Sequence, residues 1–400
     1  MAKILFFPDV YQEEGHWLPI VTLAQNIRNR GHEVAFMGIA DCEHIIEPYF
    51  YKNESNPIFK TIFQNTYPLG YTRSNPHKSI SERWKPAHLL DIVNGGLDEL
   101  INNTFTPDLI VGGYFASLET LLMHYRYGIK FIITTTYLRH PDDDPGVRAL
   151  QNLFGMPEPM SRKILEDSAY KEADEIEFDE NIFYNFVKPL EETFELIPCP
   201  REFQFDNYKF DSDIDPVNGL VKFVEPCVVR HLYGPSSSEW MNGIDHNILY
   251  APEKRLIFAT VGSQAQDYKD TARRWFEQMI LMMKSPGMQD FHLLISMGPD
   301  LIREEWELPN NVTIHSWVPQ FNVLDFCVAA FIHGGLATIK ECIYKNVPFV
   351  ILPHGKDQMD NALRMLRTDI GHLAHAEVST SGDLQDMFLR NFRQNKIAGE

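Results

Sequence analysis

Short apolar runs alternate with amphipathic stretches along most of this chain, and the alternation has the period of βα units. Lys3–Phe7 reads as a first strand and Pro8–Gly15 as a loop. A helix is predicted from His16 to Arg30, with Ile20, Leu23, Ala24 and Ile27 on one face and Gly31 as its C-cap. Glu33–Met37 reads as the second strand. Tyr49 to Trp84 shows weak periodicity and reads as irregular loops and short helices. Helix Ala87–Asn102, strand Asp108–Val111, helix Ala116–Arg126 and strand Lys130–Thr134 follow. From Pro141 to Asn207 turns alternate with helical stretches, at Met160–Ala169 and Phe178–Phe194, before a strand at Leu220–Val224.

Pro226 to Pro252 is rich in Pro, Ser, Gly and Asn and reads as a linker. A second βα series begins beyond it. It comprises strand Arg255–Thr260, helix Thr271–Lys284, strands Phe291–Ser296 and Val312–Ser316, and helix Phe321–Cys327. The predicted domains are therefore 1–225 and 253–400, with 226–252 between them. Two successive parallel-sheet domains are the expectation, since strands alternating with helices build βαβ units. The first βαβ unit has no GxGxxG turn, so the dinucleotide fingerprint is absent there.

The stretch Phe331–Arg364 carries the most chemistry. Gly334 and Gly335 permit a tight turn after a strand, a helix is predicted over Leu336–Tyr344, and Val347–Leu352 reads as a buried parallel strand. Such a turn aims unpaired helix N–H groups and the positive end of the dipole at open space, which suits phosphate. Thr338 can add a hydroxyl donor in the first turn, and His333 ends the strand beside it. Glu341 lies ~9 Å further along the helix axis, a distance that suits a ribose contact. Asp357 and Gln358 follow the next strand at the same sheet edge, where open α/β sheets bind ligands.

With Trp317-Val318-Pro319-Gln320 upstream and Asn361-Ala362 downstream, this pattern resembles the nucleotide-sugar motif of family 1 glycosyltransferases, the UDP-glycosyltransferase superfamily. In particular it is similar to bacterial enzymes that glycosylate natural products such as macrolides. The resemblance implies the GT-B fold, two Rossmann-like parallel-sheet domains facing a central cleft. It is clear over about residues 1–40 and 255–375. It implies that Trp317 stacks on the base with Val318 beside it, that Gln320 lies near base and ribose, and that Glu341 bonds the ribose hydroxyls. His333, Gly335 and Thr338 would hold the diphosphate, Asp357 and Gln358 the sugar, and Ser263 a place near the phosphates. Asp383–Glu400 reads helical, whereas such enzymes usually continue into a helix that packs back on the first domain, so that element is expected to be absent or abbreviated.

The resemblance also makes His16 the general base, removing a proton from the acceptor hydroxyl. A histidine at a helix N-terminus is disfavoured as the cation, which suits that task. Relatives usually place an aspartate after the Asp108–Val111 strand to orient the histidine, but Gly112-Gly113 stands there. Glu119 is the first substitute considered, ~9 Å on along a helix, and Asp9, Glu13 and Glu14 share a loop with His16. The alternatives are an acceptor acidic enough to need little help, or impaired activity.

Charge and composition narrow the partners. A net charge of −19 argues against nucleic acid or an anionic membrane surface. Five widely spaced cysteines without a CxxC pair read as reduced thiols in a cytoplasmic protein. No apolar run is long enough for a transmembrane helix. Asp142-Asp143-Asp144, between Pro141 and Pro145, reads as a solvated acidic turn rather than a metal site. Aromatic residues crowd the first domain, and some are candidates to line an apolar acceptor pocket.

The expected function is therefore a metal-independent hexosyltransferase. It needs no cofactor beyond the nucleotide sugar as co-substrate. The sugar would pass from a UDP- or dTDP-sugar to a hydroxyl of a small lipophilic acceptor, with inversion. Trp317 and Glu341 lean toward UDP. The rivals are a non-catalytic nucleotide-sugar-binding homologue and a sugar-nucleotide epimerase on the same fold. Sugar, acceptor and oligomeric state stay open at this level.

Overall fold

A computed structural model describes residues 1–398, save 12, 51–57, 73, 76–83, 139–142, 168–181, 207, 209–218, 225–254, 263–267 and 299–305, with side chains to residue 390. The chain divides into two units, Met1–Tyr233 and Gly234–Glu400. The predicted linker, 226–252, lies outside the described residues.

The first unit is a seven-stranded parallel sheet. Its strands are β1 (Lys3–Phe7), β2 (Glu33–Gly38), β3 (Phe59–Thr61), β4 (Leu109–Gly113), β5 (Lys130–Thr134), β6 (Glu195–Ile197) and β7 (Val221–Phe223), in the order β3-β2-β1-β4-β5-β6-β7. The central strands are buried almost throughout, as sheets covered on both faces require. Helix Glu14–Asn29 lays Trp17, Ile20, Val21 and Ala24 into this core, and Trp17 packs on Phe36 and Phe59. Gly31 follows that helix in the left-handed region at φ 86°, where a side chain would be strained.

Two differences from the periodicity have local causes. The helix expected over Ala87–Asn102 ends at Val93, because Asn94-Gly95-Gly96 turns the chain with Gly95 at φ 88°. A separate wide turn then spans Glu99–Thr104. Strands β3 and β6 were not expected. Each has three residues, too few for an alternation to show, and each is held by parallel pairing to a neighbour.

The second unit is a six-stranded parallel sheet of β8 (Arg255–Thr260), β9 (Phe291–Ser296), β10 (Val312–His315), β11 (Cys327–Ile332), β12 (Phe349–Ile351) and β13 (Gly371–Leu373), in the order β10-β9-β8-β11-β12-β13. Helix Leu336–Tyr344 has the predicted bounds. The helix expected over Phe321–Cys327 is shorter. Gln320–Val323 and one tight turn at Leu324–Phe326 precede Cys327, which already pairs with Leu256 in the sheet. The last helix, Ser381–Ala398, packs Phe388 edge-on against Phe291 in this unit's own core.

In each sheet the strand order reverses beside the first strand of the unit, between β1 and β4 and between β8 and β11. Crossovers leave those points on opposite faces, and the crevice at their C-terminal ends is where such sheets take ligands.

Candidate functional site

At the first switch point, β1 ends in a loop carrying Asp9 and Tyr11, and His16 stands on the third residue of the helix that follows. His16 Nδ1 is hydrogen-bonded to Asp9 Oδ2. Asp9 is fully buried, while the imidazole keeps about a quarter of its surface open. The other oxygen of Asp9 accepts from the Tyr11 amide at 3.1 Å. A carboxylate can only accept, so Nδ1 carries the proton and Nε2 is left as the basic nitrogen. The dyad is thus built within one loop and one helical turn.

The close approach of β4 explains why the carboxylate comes from this loop. A Cβ on Gly113 would lie 1.8 Å from the Pro8 carbonyl oxygen, and one on Gly112 would lie 2.2 Å from Thr120 Oγ1. No side chain fits at either position, so neither can present an aspartate to His16.

Glu119, the substitute considered first, is committed elsewhere, which corrects that expectation. Its Oε1 accepts from His88 Nε2 at 2.7 Å and from Trp84 Nε1 at 3.3 Å, with His88 and Glu119 both fully buried. His88 Nδ1 faces the Lys85 carbonyl at 2.5 Å and must donate to it. The His88–Glu119 pair joins helix Ala87–Val93 to helix Ser117–Tyr127 and serves packing, not His16.

Aromatic rings surround the dyad. Phe115 stacks on the His16 imidazole with centroids 4.7 Å apart. Tyr137 packs on Phe115 at 5.6 Å and edge-on to Tyr114 at 5.4 Å, and the Arg148 guanidinium lies over Phe115 at 5.0 Å. Burial, then the charges of Asp9 and Glu119, push the Tyr11 phenol far above its ordinary range, so it stays a neutral donor.

At the second switch point, Gly334 adopts φ 96° and Gly335 caps helix Leu336–Tyr344, whose first turn has no side-chain cap. A Cβ on Gly334 would meet Ile351 Cγ2 at 2.8 Å, and one on Gly335 would meet His333 Nε2 at 2.5 Å. The His333 ring also lies 2.6 Å from where a Cβ on Gly262 would sit. His333 is thus wedged against the backbone of two loops. Burial first, then the charges of His354 and Lys356, lower its pKa to about 3, which leaves a neutral imidazole.

Gln320, Thr338 and Glu341 come together. Gln320 Nε2 bonds to the Glu341 carboxylate and lies 3.3 Å from Thr338 Oγ1. Burial pushes Glu341 up to about 7, against the opposing effects of the Gln320 bond, Lys340 and Lys345. Trp317 is 53% exposed, whereas Val318 is 2% exposed. Gln358 Oε1 accepts from the His354 amide at 2.7 Å, which turns its amide nitrogen into the end that can reach a ligand. Asp357 Oδ2 accepts from Asn361 Nδ2 at 2.9 Å, and the same nitrogen donates to the Gly334 carbonyl at 3.0 Å. Asn361 so clamps the loop after β12 to the turn at Gly334, a role its place in the motif did not reveal.

Ser263 lies outside the described residues, as does Asp142. Asp144 caps helix Pro145–Phe154, accepting from Gly146 N at 2.6 Å and Val147 N at 3.2 Å. Among the described residues, no helix is long and apolar enough to cross a membrane.

Residues 303–394 match the UDP-glucoronosyl and UDP-glucosyl transferase family. Two *Bacillus subtilis* proteins named as uncharacterized UDP-glucosyltransferases are similar to part of the chain. YojK is 24% identical over 178 residues, 43% of this chain, and YdhE is 36% identical over 152 residues, 38% of this chain. The matched stretches span only 42% and 36% of those relatives. The solved structure of the glycotransferase of kitacinnamycin superposes on 98% of this chain and 90% of its own, with a TM-score of 0.66 and 20% identity. At that identity the likeness shows the fold.

Proposed function

We propose that this chain, which has the GT-B fold and is related to the family 1 glycosyltransferases, moves a sugar from a nucleoside-diphosphate donor to an acceptor hydroxyl with inversion. The observation that carries this reading is the His16–Asp9 dyad, an imidazole with Nδ1 held by a buried carboxylate. His16 Nε2 takes the acceptor proton, and the acceptor oxygen attacks the anomeric carbon. The bond from that carbon to the diphosphate oxygen breaks as the new one forms, so configuration inverts in a single displacement. Asp9 stabilises the imidazolium that results. The leaving nucleoside diphosphate is met by the uncapped N-terminus of helix Leu336–Tyr344 and by Thr338, fixed dipoles that take no reorganisation at the moment of reaction.

The rings of Phe115, Tyr114 and Tyr137 beside His16 support a small lipophilic acceptor of natural-product type. The exposed Trp317 supports a base-stacking role, and Glu341 a ribose contact, with either UDP or dTDP as the nucleotide. A non-catalytic role had its motive in the aspartate missing after β4. Asp9 on His16 removes that motive.

The test is a mass-spectrometric screen of UDP- and dTDP-sugars against phenol, polyketide and terpenoid acceptors, with His16→Ala in parallel. The expected result is a glycosylated product of inverted configuration, formed about 10²–10⁴-fold more slowly by the variant. Nucleotide binding without turnover on any acceptor, or conversion of the donor with no acceptor present, overturns the reading.

A further inference from the structure

We propose that His354 is a second imidazole of the donor site, donating to the diphosphate beside the turn at His333–Gly335. The inference rests on the donor reading of this unit given above, and it concerns a residue outside the recognised pattern. His333 directly follows β11, and His354 comes shortly after the adjacent strand β12. Each leads into a helix, Leu336–Tyr344 or Gln358–Arg367, and neither helix has a side-chain cap at its N-terminus. Two positive helix ends therefore open at one edge of the sheet, a setting that favours an anion.

The loop carrying His354 is built firmly. Its main-chain amides at His354 and Gly355 donate to Gln358 Oε1 at 2.7 and 3.3 Å, and Asn361 ties it to the phosphate turn. The ring stacks on Tyr268 at 6.1 Å and meets Trp275 edge-on at 5.4 Å. A Cβ on Gly355 would lie 2.6 Å from the Tyr268 hydroxyl, so the loop presses close against that ring.

Within this packing, His354 Nδ1 and Nε2 and His333 Nδ1 are buried without a hydrogen-bond partner among the described residues. Buried polar atoms are costly to leave unpaired, and ring nitrogens so placed in a native structure need a reason. A diphosphate supplies one for His354, because its oxygens only accept and a neutral imidazole has one N–H to give, whereas the His333 ring already bonds to the Thr260 main chain. Both rings are neutral in the free protein, since burial lowers His354 to about 4 and His333 to about 3. The groups charged or titrating around them are each other, Lys356 and the Tyr268 phenol.

The experiment measures binding of UDP and dTDP beside uridine and thymidine, and of a complete nucleotide sugar, to the wild-type chain, His354→Phe and His354→Asn. The phenylalanine keeps the stack on Tyr268 and the edge contact with Trp275 but has no nitrogen. The asparagine keeps a donor if the phenylalanine variant fails to fold. The expected result is a loss of about ten- to hundred-fold for the diphosphates in His354→Phe, a smaller loss in His354→Asn, and unchanged nucleoside binding. Equal losses for nucleoside and diphosphate make His354 a packing residue and overturn the inference. A loss confined to the complete nucleotide sugar moves the contact to the sugar and also overturns it. Unchanged diphosphate binding in both variants does so while leaving the proposed function standing. A wild-type chain that binds no nucleoside diphosphate removes the proposed function itself.

Discussion

Glu341→Gln should make the protein more stable and a poorer nucleotide binder, with the stability gain present only at neutral and alkaline pH. In the folded chain burial raises the Glu341 carboxyl to about 7 from an ordinary 4.5. The folded state therefore holds this proton more tightly than the unfolded chain. Between pH 4.5 and 7 the unfolded chain has lost it while the folded chain keeps it, so stability falls as pH rises and levels off above 7. A difference of ~2.5 pKa units corresponds to ~3 kcal/mol as a ceiling, since one unit is ~1.4 kcal/mol. The side chain is only partly covered, so solvent screening trims this to about 2 kcal/mol. Glutamine has the same shape, does not ionise, and can still meet Gln320. At pH 8 the variant should be about 2 kcal/mol more stable, which for a unit of this size raises Tm by about 4–8 °C. At pH 4.5 the two should coincide. The ribose hydroxyls lose a charged acceptor, and UDP affinity should drop by about 1.5–3 kcal/mol. Calorimetric melting at pH 4.5, 6 and 8 with UDP titration checks both halves. A Tm difference independent of pH, or a variant that melts lower at pH 8, would refute the reasoning.

Other changes separate the two histidine–carboxylate pairs of the first unit. Asp9→Asn should cut turnover on an alcohol acceptor by at least about tenfold, because the imidazole loses its orienting carboxylate, with a smaller loss on an acidic phenol; equal losses on both acceptors would argue against a base role. Glu119→Ala leaves buried His88 without its partner and should destabilise the chain by about 3–5 kcal/mol in chemical denaturation, whereas Glu119→Gln at a temperature where it is folded should leave the acid-dependence of the acceptor reaction unchanged. Gly113→Ala should lower turnover more than donor affinity, since its Cβ would push the Pro8 carbonyl and shift Asp9; wild-type kcat in this variant would show that the loop yields without cost. EDTA should leave turnover largely intact, because helix dipoles stand where a cation would, and strict dependence on added Mg²⁺ or Mn²⁺ would contradict the proposed stabilisation of the leaving group.

What the sequence determined by itself is local. The βα alternation, the bounds of helix Leu336–Tyr344 and the tight turn at Gly334 all follow from preferences acting over a few residues. Thr338 and Glu341 on one helix were legible too, whereas Gln320 was placed beside them only through the resemblance. Strands β3, β6 and β13 were not, since three residues carry no period and become strands only by pairing with a neighbour. Nor could the sequence decide which carboxylate serves His16. Glu119 and Asp9 were both within reach on spacing alone. The order of strands in the sheet sets β4 so close to the loop after β1 that Gly112 and Gly113 can bear no side chain, while helix packing hands Glu119 to His88. The same holds for His354, whose loop follows β12 as His333 follows β11, because those two strands are neighbours. Contacts of that kind depend on the sheet order and on steric room between distant segments, and neither is written in the residues that flank them.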